Sequence, residues 1–262
     1  MIKNMGHHLA KSARELCCFL FALTLIGCKG GFNKERDEHE ANETQSATAA
    51  SGQVNDTGSD QFGIQGGTLY GFDTDSSGRI PKGWLHDRTG NGQIGNWIVV
   101  EDTTAPSKPN VLAQTSQDQT DYRFPVAVLD SSAYTDLQLS VKFKAIKGSV
   151  DQGAGLVWRY KDINNYYLVR ANALEDNVNF YKVVKGSRKQ VEGSNTKVST
   201  NQWHTLVVEA RGDTLECYFD GKRLIEKEDQ TFTGSGQIGL WTKADSYILF
   251  DDFTVKNLAS GK

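Results

Sequence analysis

From Leu69 onward the apolar residues recur mainly with a period of two, the spacing of a strand that hides one face and wets the other. Leu137, Leu139, Val141, Phe143 and Ala145 alternate with Gln138, Ser140, Lys142 and Lys144. This predicts a strand with the first set turned inward and the second toward water. Leu206, Val208 and Ala210 repeat the pattern. Asp220-Gly221 stands between Leu215–Phe219 and Lys222–Glu226, and the pair supplies the positive φ angles that a two-residue hairpin turn requires. Further strands are predicted over 97–101, 111–114, 126–129, 154–160, 165–172, 178–184, 189–192, 237–242 and 247–256. Turn residues separate these runs, and neither a helix nor an internal repeat is needed to account for them. The expected fold class is all-β, a two-sheet antiparallel sandwich of jelly-roll type.

The N-terminal quarter reads differently. Lys3, Lys11 and Arg14 precede an apolar run, Phe19–Ile26, too short to span a bilayer as a mature helix. It ends in Leu25-Ile26-Gly27-Cys28, which resembles a bacterial lipobox: cleavage after Gly27 would leave Cys28 at the new N-terminus to carry lipid. Residues 1–27 are therefore expected to be a lipoprotein signal peptide. Residues 28–66 hold Ser, Thr, Asn, Gln, Asp, Glu and Gly with few apolar side chains, too little to offset the entropy of ordering, and read as a lipidated cysteine and a disordered tether. Residues 67–258 remain for the sandwich. Each buried acyl methylene contributes about 0.8 kcal/mol, so two or more chains on Cys28 would hold the protein on a membrane almost permanently. A bacterial cell-envelope location follows as an expectation. Lys29 after that cysteine, where an aspartate would favour the inner membrane, inclines it to the outer one.

Composition narrows the partners. The chain has 262 residues, with 29 Lys and Arg against 32 Asp and Glu, net −3 at neutral pH. No basic field is available to neutralise phosphates, which argues against a nucleic-acid partner. Of the four cysteines, Cys17 and Cys18 would leave with the signal and Cys28 would be acylated. Cys217 then remains as a single thiol on the apolar side of its strand beside Leu215 and Phe219, with no partner for a disulfide.

Several fragments occur in a telling order: Gly155-Leu156-Val157-Trp158-Arg159-Tyr160-Lys161-Asp162, Asn165-Tyr166-Tyr167-Leu168-Val169-Arg170, Gln202-Trp203-His204-Thr205-Leu206, Phe219-Asp220-Gly221, Gly239-Leu240-Trp241-Thr242 and Phe250-Asp251-Asp252-Phe253. Together they resemble the concanavalin A-like lectin/glucanase superfamily, nearest its laminin-G-like and 3-keto-disaccharide-hydrolase-like members, over about residues 69–257. The resemblance implies a sandwich with one concave face that holds carbohydrate. It leaves three functions open: a carbohydrate-binding module, a glycoside-acting hydrolase of the 3-keto-disaccharide type, and a laminin-G-like protein-interaction module.

The residues suited to a sugar face are Trp158, Arg159, Arg170, Asn172, Glu175 and Trp241, joined by Tyr160, Asn179 and Tyr181. Flat rings cover the apolar side of a pyranose, and planar Arg, Asn and carboxylate groups direct bonds to hydroxyls. Arg170 and Asn172 share a strand face with Tyr166 and Leu168, which predicts polar groups emerging from an apolar patch. A structural calcium is a further expectation. Asp73-Thr74-Asp75-Ser76-Ser77-Gly78 matches the first half of an EF-hand loop, but Trp84 stands where the bidentate carboxylate belongs, so an EF-hand is rejected. Asp251 falls on an apolar face and needs a hydrogen-bond partner or a metal, which makes Asp73 with Asp251 the candidate calcium pair. The Glu-x-Asp-x-x-Glu run of retaining glucanases is absent from the sequence, and no catalytic residue can be assigned. His86 and His204 are the histidines of the domain, and His204 is expected to be structural.

Overall fold

The computed structural model describes residues 64–258, all within the compact unit Asp56–Lys262. The expected signal peptide, Cys28 and most of the expected tether lie outside the described residues. Fifteen strands follow in chain order: β1 (Thr68–Tyr70), β2 (Trp84–Gly90), β3 (Trp97–Glu101), β4 (Asn110–Gln114), β5 (Arg123–Leu129), β6 (Leu137–Lys147), β7 (Gly153–Asp162), β8 (Asn165–Asn172), β9 (Asn177–Val184), β10 (Ser187–Asn195), β11 (Trp203–Arg211), β12 (Thr214–Phe219), β13 (Lys222–Glu228), β14 (Gln237–Thr242) and β15 (Tyr247–Asn257). No helix occurs among the described residues. One sheet has the order β13-β12-β11-β6-β15-β4-β3, with β1 also paired to β15, and the other runs β10-β9-β8-β7-β14-β5-β2. The register given for each strand pair is antiparallel. The fold is thus the expected all-β sandwich.

The main core lies between the sheets. Leu137, Leu139, Val141, Phe143 and Ala145 of β6 are fully buried there, facing Leu156, Trp158, Tyr167, Val169 and Phe180 of the other layer. Asp220 and Gly221 adopt φ of 45° and 80°, the left-handed pair that closes the β12–β13 hairpin. Cys217 sits in this core, where burial pushes its thiol pKa up and leaves it inert. His204 hydrogen-bonds Asp220 at 2.7 Å and stacks on Phe219, a structural role.

Two departures from the sequence pattern matter. Strand β2 escapes prediction because its run His86-Asp87-Arg88 is polar, as suits the edge of a sheet. The water-facing side of β6 is also not bare: Lys144 is only 7% exposed. The segment 102–109 folds over it, with Asp102 pairing Lys144 at 2.7 Å and Ala105 buried.

Candidate functional site

The second sheet curls until its margins meet. Thr89 on β2 hydrogen-bonds Tyr166 of β8 at 2.8 Å and also reaches the carbonyl of Ile163. Tyr122, just before β5, donates to the carbonyl of Gly186 in the β9–β10 turn. The enclosed face therefore carries an apolar cluster of its own: Phe124, Val126, Val157, Tyr166, Leu168, Tyr181 and Trp241 among others, none of the cluster's buried members more than 7% exposed. The hollow side of the sheet is mostly filled by its own rings, and a buried polar set, Asp151, Arg170 and Asn172, none more than 1% exposed, lies beside them.

Register explains that collection. Trp241 pairs with Gly155, Gly155 with Arg170, and Arg170 with Asn179, so these residues form one row across four strands. Gly155 is required in that row: a Cβ there would lie 2.7 Å from the Leu168 side chain and from the Val169 carbonyl. Arg170 is 1% exposed and donates to Glu175 at 2.8 Å and to Asn177 at 2.7 Å. Its other face looks toward Asp151, 3.9 Å away, which Lys243 approaches to 3.1 Å. Asp151 in turn accepts from Asn172 at 3.1 Å. The turn that presents Asp151 is built by Asp245, whose carboxylate accepts the backbone N–H groups of Ser149, Val150 and Asp151.

The electrostatics follow from burial. Desolvation pushes the Asp151 carboxyl above its ordinary range, against the pull of Arg170 and Lys243. Glu175 is half-exposed, and although burial opposes its charge, the hydrogen bond and charge of Arg170 hold its pKa below the usual value. Lys243 also loses hydration, but Asp121 and Asp151 outweigh that and raise it. Arg188 lies across the aromatic floor, its guanidinium 4.5 Å from the ring centre of Phe124, 4.6 Å from Tyr181 and 5.7 Å from Trp241.

Of the residues expected at a sugar face, Arg170, Asn172, Glu175 and Trp241 come together here, as do Tyr160, Asn179 and Tyr181. Asn172 is wholly buried and holds the turn by accepting from the Leu174 N–H. Trp158 and Arg159 do not join them. Trp158 is fully buried between the sheets, stacked on Phe180 with ring centres 5.6 Å apart. Arg159 sits at a bulge with φ of 47°, which breaks the alternation of β7. Its guanidinium turns away to the carbonyls of Thr135, Phe232 and Gly212 at 3.0, 2.7 and 2.6 Å. It ties loops together. Sequence reasoning also missed Asp151, Lys243 and Arg188. Lys243 follows Trp241 by two, the strand period, and could have been found; Asp151 sits in an irregular turn that carries no periodic signal.

The expected calcium pair is not assembled. Asp73 accepts the Asn110 N–H at 2.9 Å, while Asp251, fully buried, accepts from Ser107 N and Oγ and from the Asp252 N–H. Among the described residues, no group of three or more His, Cys, Asp or Glu side chains could hold a metal ion. Each carboxylate has found protein donors instead.

Comparison with known proteins agrees with this architecture. The carbohydrate-binding module CBM66 from Bacillus subtilis superposes with a TM-score of 0.53 at 23% identity, covering 67% of this chain and 96% of that one. The VIP36 exoplasmic/lumenal domain, in a Ca2+/Man3GlcNAc-bound form, gives 0.50 at 11% identity, covering 74% and 92%. In sequence, 113 residues are 35% identical to the levanase of Bacillus subtilis strain 168, covering 42% of this chain and 16% of that enzyme, so the chain matches only a small part of the enzyme's length. The model of the 3-keto-alpha-glucoside-1,2-lyase-like domain matches residues 64–256. By that match, which takes in nearly the whole described sandwich, the chain belongs to the family of 3-keto-alpha-glucoside-1,2-lyase-like domains.

Proposed function

We propose that this protein is a carbohydrate-binding β-sandwich, lipid-anchored through Cys28 in a bacterial cell envelope and engaging its ligand at the mouth of the curled sheet. The observation that carries the reading is the row Trp241–Gly155–Arg170–Asn179 with Asp151, Glu175 and Lys243 beside it: planar donors and carboxylates set at the rim of an aromatic floor. Sugars need this combination, because each hydroxyl both donates and accepts while the ring face is apolar. Similarity to part of a levanase and the fold shared with a carbohydrate-binding module support the same reading. The outer membrane is the preferred location, on the residue that follows Cys28.

The test is a glycan array probed with the full chain and with Lys243→Gln, which removes one cation from Asp151 and leaves Arg170 in place. Selective glycan binding by the wild type, weakened tenfold or more in the variant (about 1.4 kcal/mol), is expected. No glycan retained on the array overturns the proposal.

A second reading, a glycoside-acting enzyme, is favoured by the family match itself. Elimination from a 3-keto sugar needs a base for the proton beside the ketone, and Asp151, the buried carboxylate at the cleft, has its pKa raised toward such a role. Turnover of 3-keto-disaccharides that disappears in Asp151→Asn separates an enzyme from a binding module.

A further inference from the structure

Beyond the general fitness for sugars, the buried charges at the cleft are unbalanced. Three cations, Arg170 at 1% exposure, Lys243 with its side chain 13% exposed and the half-buried Arg188, lie beside two buried carboxylates, Asp151 and Asp245, and Asp245 is held by the backbone N–H groups of Ser149, Val150 and Asp151. Glu175 and Asp121, which also face the group, are 46% and 77% exposed and are screened by water. Arg170 and Lys243 each have a carboxylate at close range. The Arg188 guanidinium donates no hydrogen bond among the described residues, and its Nη1 is buried without an acceptor. Its nearest charged neighbours include Arg170, which repels it, and its pKa is lowered chiefly by lost hydration. The Nε of Arg170, on a side chain 1% exposed, is likewise without an acceptor. Two orphaned guanidinium N–H groups of like charge in one cleft is an expensive arrangement unless an acceptor of opposite charge visits it.

We propose that the ligand is an acidic saccharide, a sugar bearing a carboxylate such as a uronic acid, whose carboxylate is received by Arg188 and Arg170. This rests on the carbohydrate reading and names the ligand's charge. A carboxylate matches a guanidinium fork in a planar, two-point contact, and an array of cation–ring contacts keeps Arg188 oriented for it. Arg188 is half-buried, which leaves part of the residue open to solvent.

The experiment is calorimetric titration of the full chain with short oligomers of galacturonate, glucuronate and mannuronate, each as the free acid and as its methyl ester. The ester keeps the sugar and removes the charge. At least one acid should bind tenfold or more tightly than its ester, with a gap that narrows as salt rises from 0.05 to 0.5 M. Arg188→Gln should close that gap and Arg188→Lys should keep part of it; melting curves of both variants establish that each is folded. Equal affinity for acid and ester, or a gap that survives in folded Arg188→Gln, overturns the proposal. If neutral glycans bind and no acid does, the acidic-ligand inference fails while the carbohydrate reading stands; if no glycan of either kind binds, both fail.

Discussion

Asp251 offers a direct measure of what burial costs in this sandwich. Its carboxylate is fully buried under the segment 102–109, with three donors from Ser107 and Asp252 and a second carboxylate, Asp252, next to it. Desolvation outweighs the hydrogen bonds, and the Asp252 charge adds to it, so the pKa is raised from 3.8 to about 6. A raised folded pKa in an acid means that the native state holds the proton more tightly than the unfolded chain. This contribution is therefore full below about pH 4 and is lost as the pH rises through 6. At about 1.36 kcal/mol per pKa unit, a shift of about two units amounts to about 3 kcal/mol. Asp251→Asn removes the titration, and it gives up one acceptor, worth about 1 kcal/mol. The stability of the variant relative to wild type should accordingly rise by about 3 kcal/mol between pH 4 and pH 7. With a urea m-value of about 3 kcal/mol/M, that is a change of about 1 M in the difference between their midpoints. Urea unfolding of both proteins at half-unit pH steps measures it. A midpoint difference that stays constant across the range would falsify the reasoning, since Asp251 would then titrate as it does in the unfolded chain.

Two further outcomes are expected. Cys28→Ala should move the protein from the membrane to the soluble fraction with its folded body unchanged, and continued membrane partitioning would refute lipid anchoring. Gly236→Ala places a Cβ 2.4 Å from the Arg159 backbone at the β7 bulge and should cost about 2 kcal/mol or more in chemical denaturation; a cost under about 0.5 kcal/mol would mean that the bulge yields easily.

Strands such as Leu137–Lys147 and the Asp220-Gly221 hairpin were legible because each is encoded locally: alternation sets which side faces the core, and the dipeptide sets the turn. The same logic placed Arg170 and Asn172 on the face of Tyr166 and Leu168, since alternation along β8 puts every second residue on one side. It misplaced Trp158 and Arg159. Against β14, one extra residue in β7 shifts the alternation, and a bulge at a non-glycine residue leaves no mark that period counting detects.

The sequence alone determined the class of fold and the inward face of most strands, because period-two patterning and turn chemistry act over a few residues. Tertiary structure decided the rest. The curl of the second sheet fills its hollow with rings, brings Arg188 from the β9–β10 hairpin across to Phe124, and sets Asp151 between Arg170 and Lys243. It also gives Asp251 to Ser107, far away in the chain, in place of a metal partner. Those meetings depend on sheet twist and on long-range register, which emerge only when both layers are packed.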